Sequence, residues 1–147
     1  MAVSRSANAT WRGNLVDGSG TVSSGTSQQI RDLPVSWNAR TADPEGLTSP
    51  EELLAAAHAS CFSMAFSSDL AKAGFTAEQL DVNSTITFDK LDAGWTVVSS
   101  KLTVRGRVPG VDQQTFQQVA EVARDGCPIS RALKGNVELS VEATLDQ

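Results

Sequence analysis

Apolar and polar positions alternate at two periods along this chain, and the changes of period mark its elements. Residues 1–9 are rich in Ser and Ala and read as a loose arm. Residues 10–16 have the pattern of a short strand, and Asp17-Gly18-Ser19-Gly20 supplies the turn after it. Residues 21–24 and 29–36 continue a sheet, with Gly25 as an interruption. Residues 39–49 are polar and broken by Pro44 and Gly46, a loop long enough to carry function. Further on, Val82, Ser84, Ile86 and Phe88 recur every second position, Asp92-Ala93-Gly94 turns the chain, and residues 95–108 return as the second strand of a hairpin.

Between and after these strands the pattern is helical. Ser49 is placed as N-cap, Pro50 at the first helical position and Glu52 at the third, where it closes a capping box; Glu51 adds charge to the first turn. From there to about Lys72 an Ala-, Leu-, Phe- and Met-rich run has no internal Gly or Pro, and Gly74 ends it. Its apolar residues spread around the cylinder, which predicts a central, largely buried helix. Asp112 caps a second helix to about Arg124 with Phe116, Val119, Ala120 and Ala123 on one stripe. Asp125-Gly126 interrupts it, residues 127–134 form a short helix ending near Gly135, and residues 137–144 form a last strand. Strands grouped before and after helices predict an α+β fold, with helices packed on antiparallel sheet. A length of 147 residues fits a single domain, 1–147, that buries its own core.

Composition narrows the function classes. A net charge of -5, with 12 Lys and Arg spread along the chain, offers no basic field, so neither nucleic acid nor an anionic membrane is expected as a partner. No apolar run reaches spanning length, and Ser4, Arg5, Ser6 and Asn8 interrupt any signal-peptide core in the opening residues. The expected location is therefore cytoplasmic, where a permanent structural disulfide is disfavoured. Two cysteines and one histidine are a poor set for a zinc site, and no dinucleotide or phosphate-loop fingerprint is present, so no metal and no cofactor is expected.

Sulfur is the one obvious nucleophile. Cys127 precedes Pro128 at a predicted helix start, where free amides favour a thiolate. Cys61 lies about three turns into its helix, too deep for that field, and needs a cation brought from elsewhere. Arg40 in the loop before the helix is the natural candidate, with Arg31, Arg124 and Arg131 as rivals. Glu51, Leu54, His58 and Cys61 follow a 3, 4, 3 spacing and lean to one broad face. At roughly 1.5 Å rise per residue, Glu51 and Cys61 are about 15 Å apart on a straight helix. Glu51 therefore either orients Arg40 or meets the cysteine of a second subunit.

Each of these residues also has an inert reading. Cys61 is a core thiol, Cys127 a bystander beside Pro128, and His58 a hydrogen-bonded packing group. Glu51 and Glu52 serve the cap, and Arg40 is a surface charge. Phe62, Met64 and Phe66 belong to the core, though an apolar wall near Cys61 would suit an organic substrate. Trp11, Trp37 and Trp95 pack on sheet faces.

Longer motifs shift that balance. The run from Thr48-Ser49-Pro50-Glu51-Glu52-Leu53 through Ala55-Ala56-Ala57-His58-Ala59-Ser60-Cys61-Phe62-Ser63-Met64-Ala65 resembles the signature of the OsmC/Ohr family. Asp125-Gly126-Cys127-Pro128-Ile129-Ser130-Arg131-Ala132-Leu133 resembles that family's second cysteine segment. Trp11, Asp17-Gly18-Ser19-Gly20-Thr21-Val22 and Asp89-Lys90-Leu91-Asp92-Ala93-Gly94-Trp95 fit its OsmC branch. The likeness covers nearly the whole chain. It departs from the commonest wording at Leu47, where glycine is frequent, and at Ser49, where asparagine is.

The resemblance implies an OsmC-like fold in an intertwined homodimer, with sites at the subunit interface, and an organic hydroperoxide reductase (a peroxidase) of osmotic and oxidative stress. It implies Cys61 as peroxidatic cysteine, Cys127 as its resolving partner, Arg40 as the activator of the thiolate and Glu51 as the residue holding Arg40. An organic hydroperoxide would be the substrate and a dithiol, of the lipoyl type in the Ohr branch, the reductant. The family order makes Cys61 the attacking sulfur, although the helix-start argument makes Cys127 the more acidic one. The alternatives are a catalytically inactive small-molecule-binding protein and a structural stress protein on the same scaffold. Neither needs both cysteines.

Overall fold

The computed structural model describes residues 1–146, which divide into two compact units, residues 1–53 and the chain from Leu54 onward. The first unit is a three-stranded antiparallel sheet of β1 (Ala7–Arg12), β2 (Ser19–Ser24) and β3 (Leu33–Val35), in that order. β1 starts three residues earlier than the apolar pattern predicts and ends at Arg12. Ala7, Asn8 and Ala9 pair with Ser24, Ser23 and Val22 through their main chains, which requires no hydrophobic alternation. Asn14 shapes the following turn, its side-chain oxygen accepting the Asp17 N–H at 2.8 Å.

The predicted 39–49 loop begins instead as a short helix, α1 (Trp37–Thr41). Ser36 caps it, its hydroxyl accepting the Ala39 N–H at 3.1 Å, and five residues are too few for a helical period to show in the sequence. The chain then returns beside β3, with Thr48 N–H donating to Pro34 O at 3.0 Å.

α2 (Pro50–Lys72) starts and ends where its signals place it. The Ser49 hydroxyl accepts the Glu52 N–H at 3.1 Å. The other half of the expected capping box is absent among the described residues, because the Glu52 carboxylate accepts from the Thr48 hydroxyl at 3.0 Å. At the far end Gly74 has φ +92°, and the N–H groups of Gly74 and Phe75 donate to Ala71 O and Leu70 O, which closes the last turn as a Schellman motif. Burial differs from expectation. His58, Phe62, Phe66 and Leu70 form one fully buried stripe at intervals of four, whereas Ala56, Ala57, Ser60 and Met64 are exposed, Met64 by 72%. An alanine-rich helix reads as apolar all round, yet full burial is confined to this stripe, with Cys61 and Ala65 packed partly against the core beside it.

In the second unit β4 (Gln79–Leu91) and β5 (Gly94–Arg107) form the predicted hairpin, and β6 (Glu138–Leu145) lies on the other side of β5. β6 runs parallel to β5, so this sheet is mixed rather than wholly antiparallel. The connection through α3 (Gln113–Gly126) and α4 (Pro128–Leu133) is long enough for the chain to cross over and re-enter in the same direction. Gln113 and Gln117 of α3 each donate to and accept from β6 backbone groups, at 2.8–3.2 Å, which covers an otherwise free sheet edge.

The core sits between this sheet and the helices. Phe66 packs between Phe62 and Phe116, with ring centroids 5.4 and 4.9 Å away, over Leu102, Val104, Val141 and Ala143. A Cβ at Gly106 would lie 2.4 Å from the Phe116 ring, so only glycine lets that ring reach the strand.

Candidate active site

Cys61 is half-buried on α2, three residues beyond His58. Cys127 is fully buried in the hinge between α3 and α4. Its backbone is pinned on both sides: its N–H donates to Ala123 O and its carbonyl accepts the Arg131 N–H, each at 2.9 Å. Pro128 at the first position of α4 fixes the entry angle. The fold brings the two sulfurs together across 66 residues of sequence, with the Cys127 thiol donating to Cys61 Sγ at 3.0 Å. Both are free thiols, and an approach of about 1 Å would bring them to bonding distance.

Burial pushes the Cys61 thiol above its ordinary value, and the neighbouring Cys127 pushes the same way; the Ile129 backbone amide pulls it down. That amide belongs to the start of α4. The sequence assigns it to Cys127, but among the described residues Cys127 makes no side-chain cap bond to its own helix. The lowering influence of that amide falls on Cys61, on the facing helix.

His58 is fully buried with both ring nitrogens bonded. Nδ1 lies 2.6 Å from Ser100 Oγ and Nε2 lies 2.7 Å from Ser130 Oγ, while Ser100 Oγ is 3.1 Å from Ser84 Oγ. Burial holds the imidazole below its ordinary pKa, so it is neutral, one nitrogen donating and the other accepting. Ser100 and Ser130 carry no sequence signal for this role, because they lie 42 and 72 residues from His58.

In the first unit Arg40 and Glu51 form a forked pair, Nε to Oε2 at 3.1 Å and Nη2 to Oε1 at 2.6 Å. The Arg40 guanidinium also lies 5.6 Å from the ring centroid of Trp37, three residues earlier on the same turn. Among the rivals, Arg31 donates to Gln28 O, Arg124 pairs with Asp125, whose carboxyl it holds below the usual range, and Arg131 is exposed.

Trp11, Leu15, Val35, Trp37 and Pro50 line a half-open cavity of about 300 Å³ with Arg40 as its charged wall. Trp11 lies over Gly20 of the next strand, as the sheet-face reading expects, and also lines this cavity; Trp37 lines it from α1 instead of packing on a sheet face. The i, i+3 spacing of Trp37 and Arg40 was the available signal. Trp95 does stack on a sheet neighbour, Phe88, at 5.0 Å. The expected apolar wall of Phe62, Met64 and Phe66 is not found: the two phenylalanines are core residues, and Met64 is on the exposed face.

No group of three or more His, Cys, Asp or Glu among the described residues gathers as a metal site, and no described helix is long and apolar enough to cross a membrane.

The family model of OsmC-like proteins matches residues 42–142. Peroxiredoxin OsmC of Escherichia coli (strain K12) is 39% identical over 142 residues, covering 97% of this chain and 98% of that protein. In fold, the organic hydroperoxide resistance protein OhrB of Bacillus subtilis superposes with a TM-score of 0.74 at 24% identity, covering 95% of this chain and 98% of that one. An OsmC-like protein from Mycoplasma pneumoniae gives 0.76 at 18% identity, with all of both chains covered. With a two-cysteine redox pair in contact and a family model matched over most of its length, the chain belongs to the OsmC/Ohr family of cysteine-based redox enzymes.

Proposed function

We propose that this protein, acting as one catalytic domain, is a thiol-dependent peroxidase that reduces organic hydroperoxides to alcohols. The observation that carries the reading is the 3.0 Å contact between Cys127 and Cys61, two free thiols from distant segments.

In the first step the Cys61 thiolate attacks the distal peroxide oxygen. A sulfur–oxygen bond forms, the oxygen–oxygen bond breaks, and the alkoxide leaves and takes a proton to become the alcohol. Arg40 stabilises the thiolate and the charge developing on oxygen, and Glu51 holds its guanidinium in a fixed fork. Next, the Cys127 thiolate attacks the sulfur of the Cys61 sulfenic acid; the disulfide forms, and hydroxide leaves and is protonated to water. An external dithiol, of the lipoyl type, gives two electrons to that disulfide by exchange through a mixed intermediate.

The apolar cavity beside Arg40 supports a substrate with an organic group over hydrogen peroxide. The exposed Ala57, Ser60 and Met64 face of α2 supports a homodimer. A cytoplasmic location, which keeps thiols reduced between turnovers, fits the cycle.

Titration of the reduced protein with cumene hydroperoxide, followed by thiol counting and intact mass, tests the reading. Wild type should consume about one peroxide per chain, lose both thiols and gain no oxygen. Cys127→Ser should stop with oxygen retained on Cys61. Loss of no thiol in the wild type, or a faster reaction with hydrogen peroxide than with the organic peroxide, would defeat it.

A further inference from the structure

None of the steps above uses His58, yet it occupies the centre of the second unit and joins three elements. It lies on α2 three residues before Cys61; its partner Ser130 lies on α4 three residues after Cys127; its other partner, Ser100, lies on β5. Residues three apart on a helix share a face. One imidazole thus ties the two sulfur-bearing segments together about one helical turn from each sulfur.

A leucine or phenylalanine could fill this buried volume and pack the helices as well. Packing alone, however, leaves a short helix free to rotate and slide against its neighbour. Hydrogen bonds at 2.6 and 2.7 Å to both nitrogens fix the ring in one orientation and, through Ser130, fix α4 in one register. The resolving step depends on that register. Once Cys61 carries an oxygen, Cys127 must attack its sulfur from the side opposite the departing hydroxide, and reacting atoms need to sit within about 3–3.5 Å.

We propose that His58 is a positioning residue for disulfide formation: through Ser130 it holds the start of α4 against α2 so that Cys127 stays aligned with the Cys61 sulfenic acid, while Ser100 anchors the ring from the sheet. This rests on the peroxidase reading. Its consequence is a division between steps. Peroxide attack on Cys61 does not need Cys127 in register, but resolution does. If α4 drifts, the sulfenic acid survives longer and a second peroxide oxidises it to the sulfinic acid.

The test is stopped-flow oxidation of reduced wild type, His58→Gln, Ser130→Ala and Ser100→Ala by cumene hydroperoxide, with intact mass at the end point. Attack appears as a phase that scales with peroxide concentration, and resolution as a phase that does not. His58→Gln and Ser130→Ala should slow resolution by up to about 100-fold, the scale of a 1 Å misplacement. The attack phase should show no comparable loss, and the variants should gain two oxygens under excess peroxide. Ser130→Ala alone keeps the imidazole and serves if His58→Gln folds poorly. Ser100→Ala should slow resolution less than Ser130→Ala, because it leaves the link to α4 in place.

Equal loss from the two serine variants, attack and resolution falling together with Tm, or resolution at the wild-type rate throughout would each overturn the inference. A wild type with no peroxide-dependent phase would sink the peroxidase reading and this inference with it; a normal wild type beside unimpaired variants sinks this inference alone.

Discussion

In residues 1–53 the charged pair Arg40–Glu51 is held by a two-point hydrogen-bonded fork, with Arg40 on a five-residue helix, its side chain 29% exposed and the exposed Trp11 and Leu15 lining the cavity beside it. From Leu54 onward the chemistry is held by packing. Cys127 and His58 are fully buried, and Cys127 belongs to one closed core with Phe62, Phe66, Leu70, Leu102 and Phe116. The difference has a physical basis. On the proposed cycle Arg40 meets a changing charge; its partly exposed guanidinium keeps access to water, and the fork supplies geometry without burial. Two sulfurs that must alternate between contact and bond need a fixed separation, which close packing provides.

Mutations aimed at one unit should therefore separate stability from rate. The largest effect is expected from Phe66→Ala, which empties the space between Phe62 and Phe116; it should cost about 3–5 kcal/mol of stability. Chemical denaturation measures this, and a loss no larger than that of Trp37→Ala in the first unit would break the comparison.

Arg40→Ala should do the reverse. It should slow peroxide attack by about 10²–10³-fold, the scale of losing one preorganised donor, with Tm little changed. Glu51→Gln should cost less, because the arginine remains. The pH profile sharpens this point. Without Arg40 the Cys61 thiol keeps the raising influence of burial and of Cys127 against a single Ile129 amide, so the rate in the variant should climb with pH around a higher midpoint than in wild type. Coincident midpoints would remove Arg40 from the activation of Cys61.

The smallest effect concerns His58. Its folded-state pKa lies below the unfolded value because burial disfavours the charged ring. The unfolded chain then binds the proton first, so stability is fully present above the ordinary histidine value and falls as pH drops from there toward the folded pKa. His58→Gln should flatten that part of a Tm–pH profile. An unchanged slope would mean that the ring takes up a proton without cost in the folded chain.

Much of the chain from Ser49 onward was legible in advance because its signals are local and redundant. Ser49-Pro50 opens α2 and Gly74 closes it; alternation defines β4 and β5; Asp112 and the Phe116, Ala120, Ala123 stripe define α3. The direction of β6 was not legible, since a strand carries no local mark of whether its partner runs with it or against it. α1 and the early start of β1 were missed because a single helical turn and a main-chain pairing leave no periodic trace.

The site divides in the same way. The sequence by itself determined the chemical inventory: two cysteines on separate elements, an arginine ahead of the long helix, a glutamate in its first turn, and a histidine one turn before Cys61. Only the tertiary structure decided which groups meet, because those contacts join residues between 11 and 72 positions apart. It set the sulfurs at 3.0 Å and placed Ser100 and Ser130 on the two nitrogens of His58. Residue type fixes what a side chain can donate, accept or attack; the folded path of the chain fixes the distance and direction in which it does so.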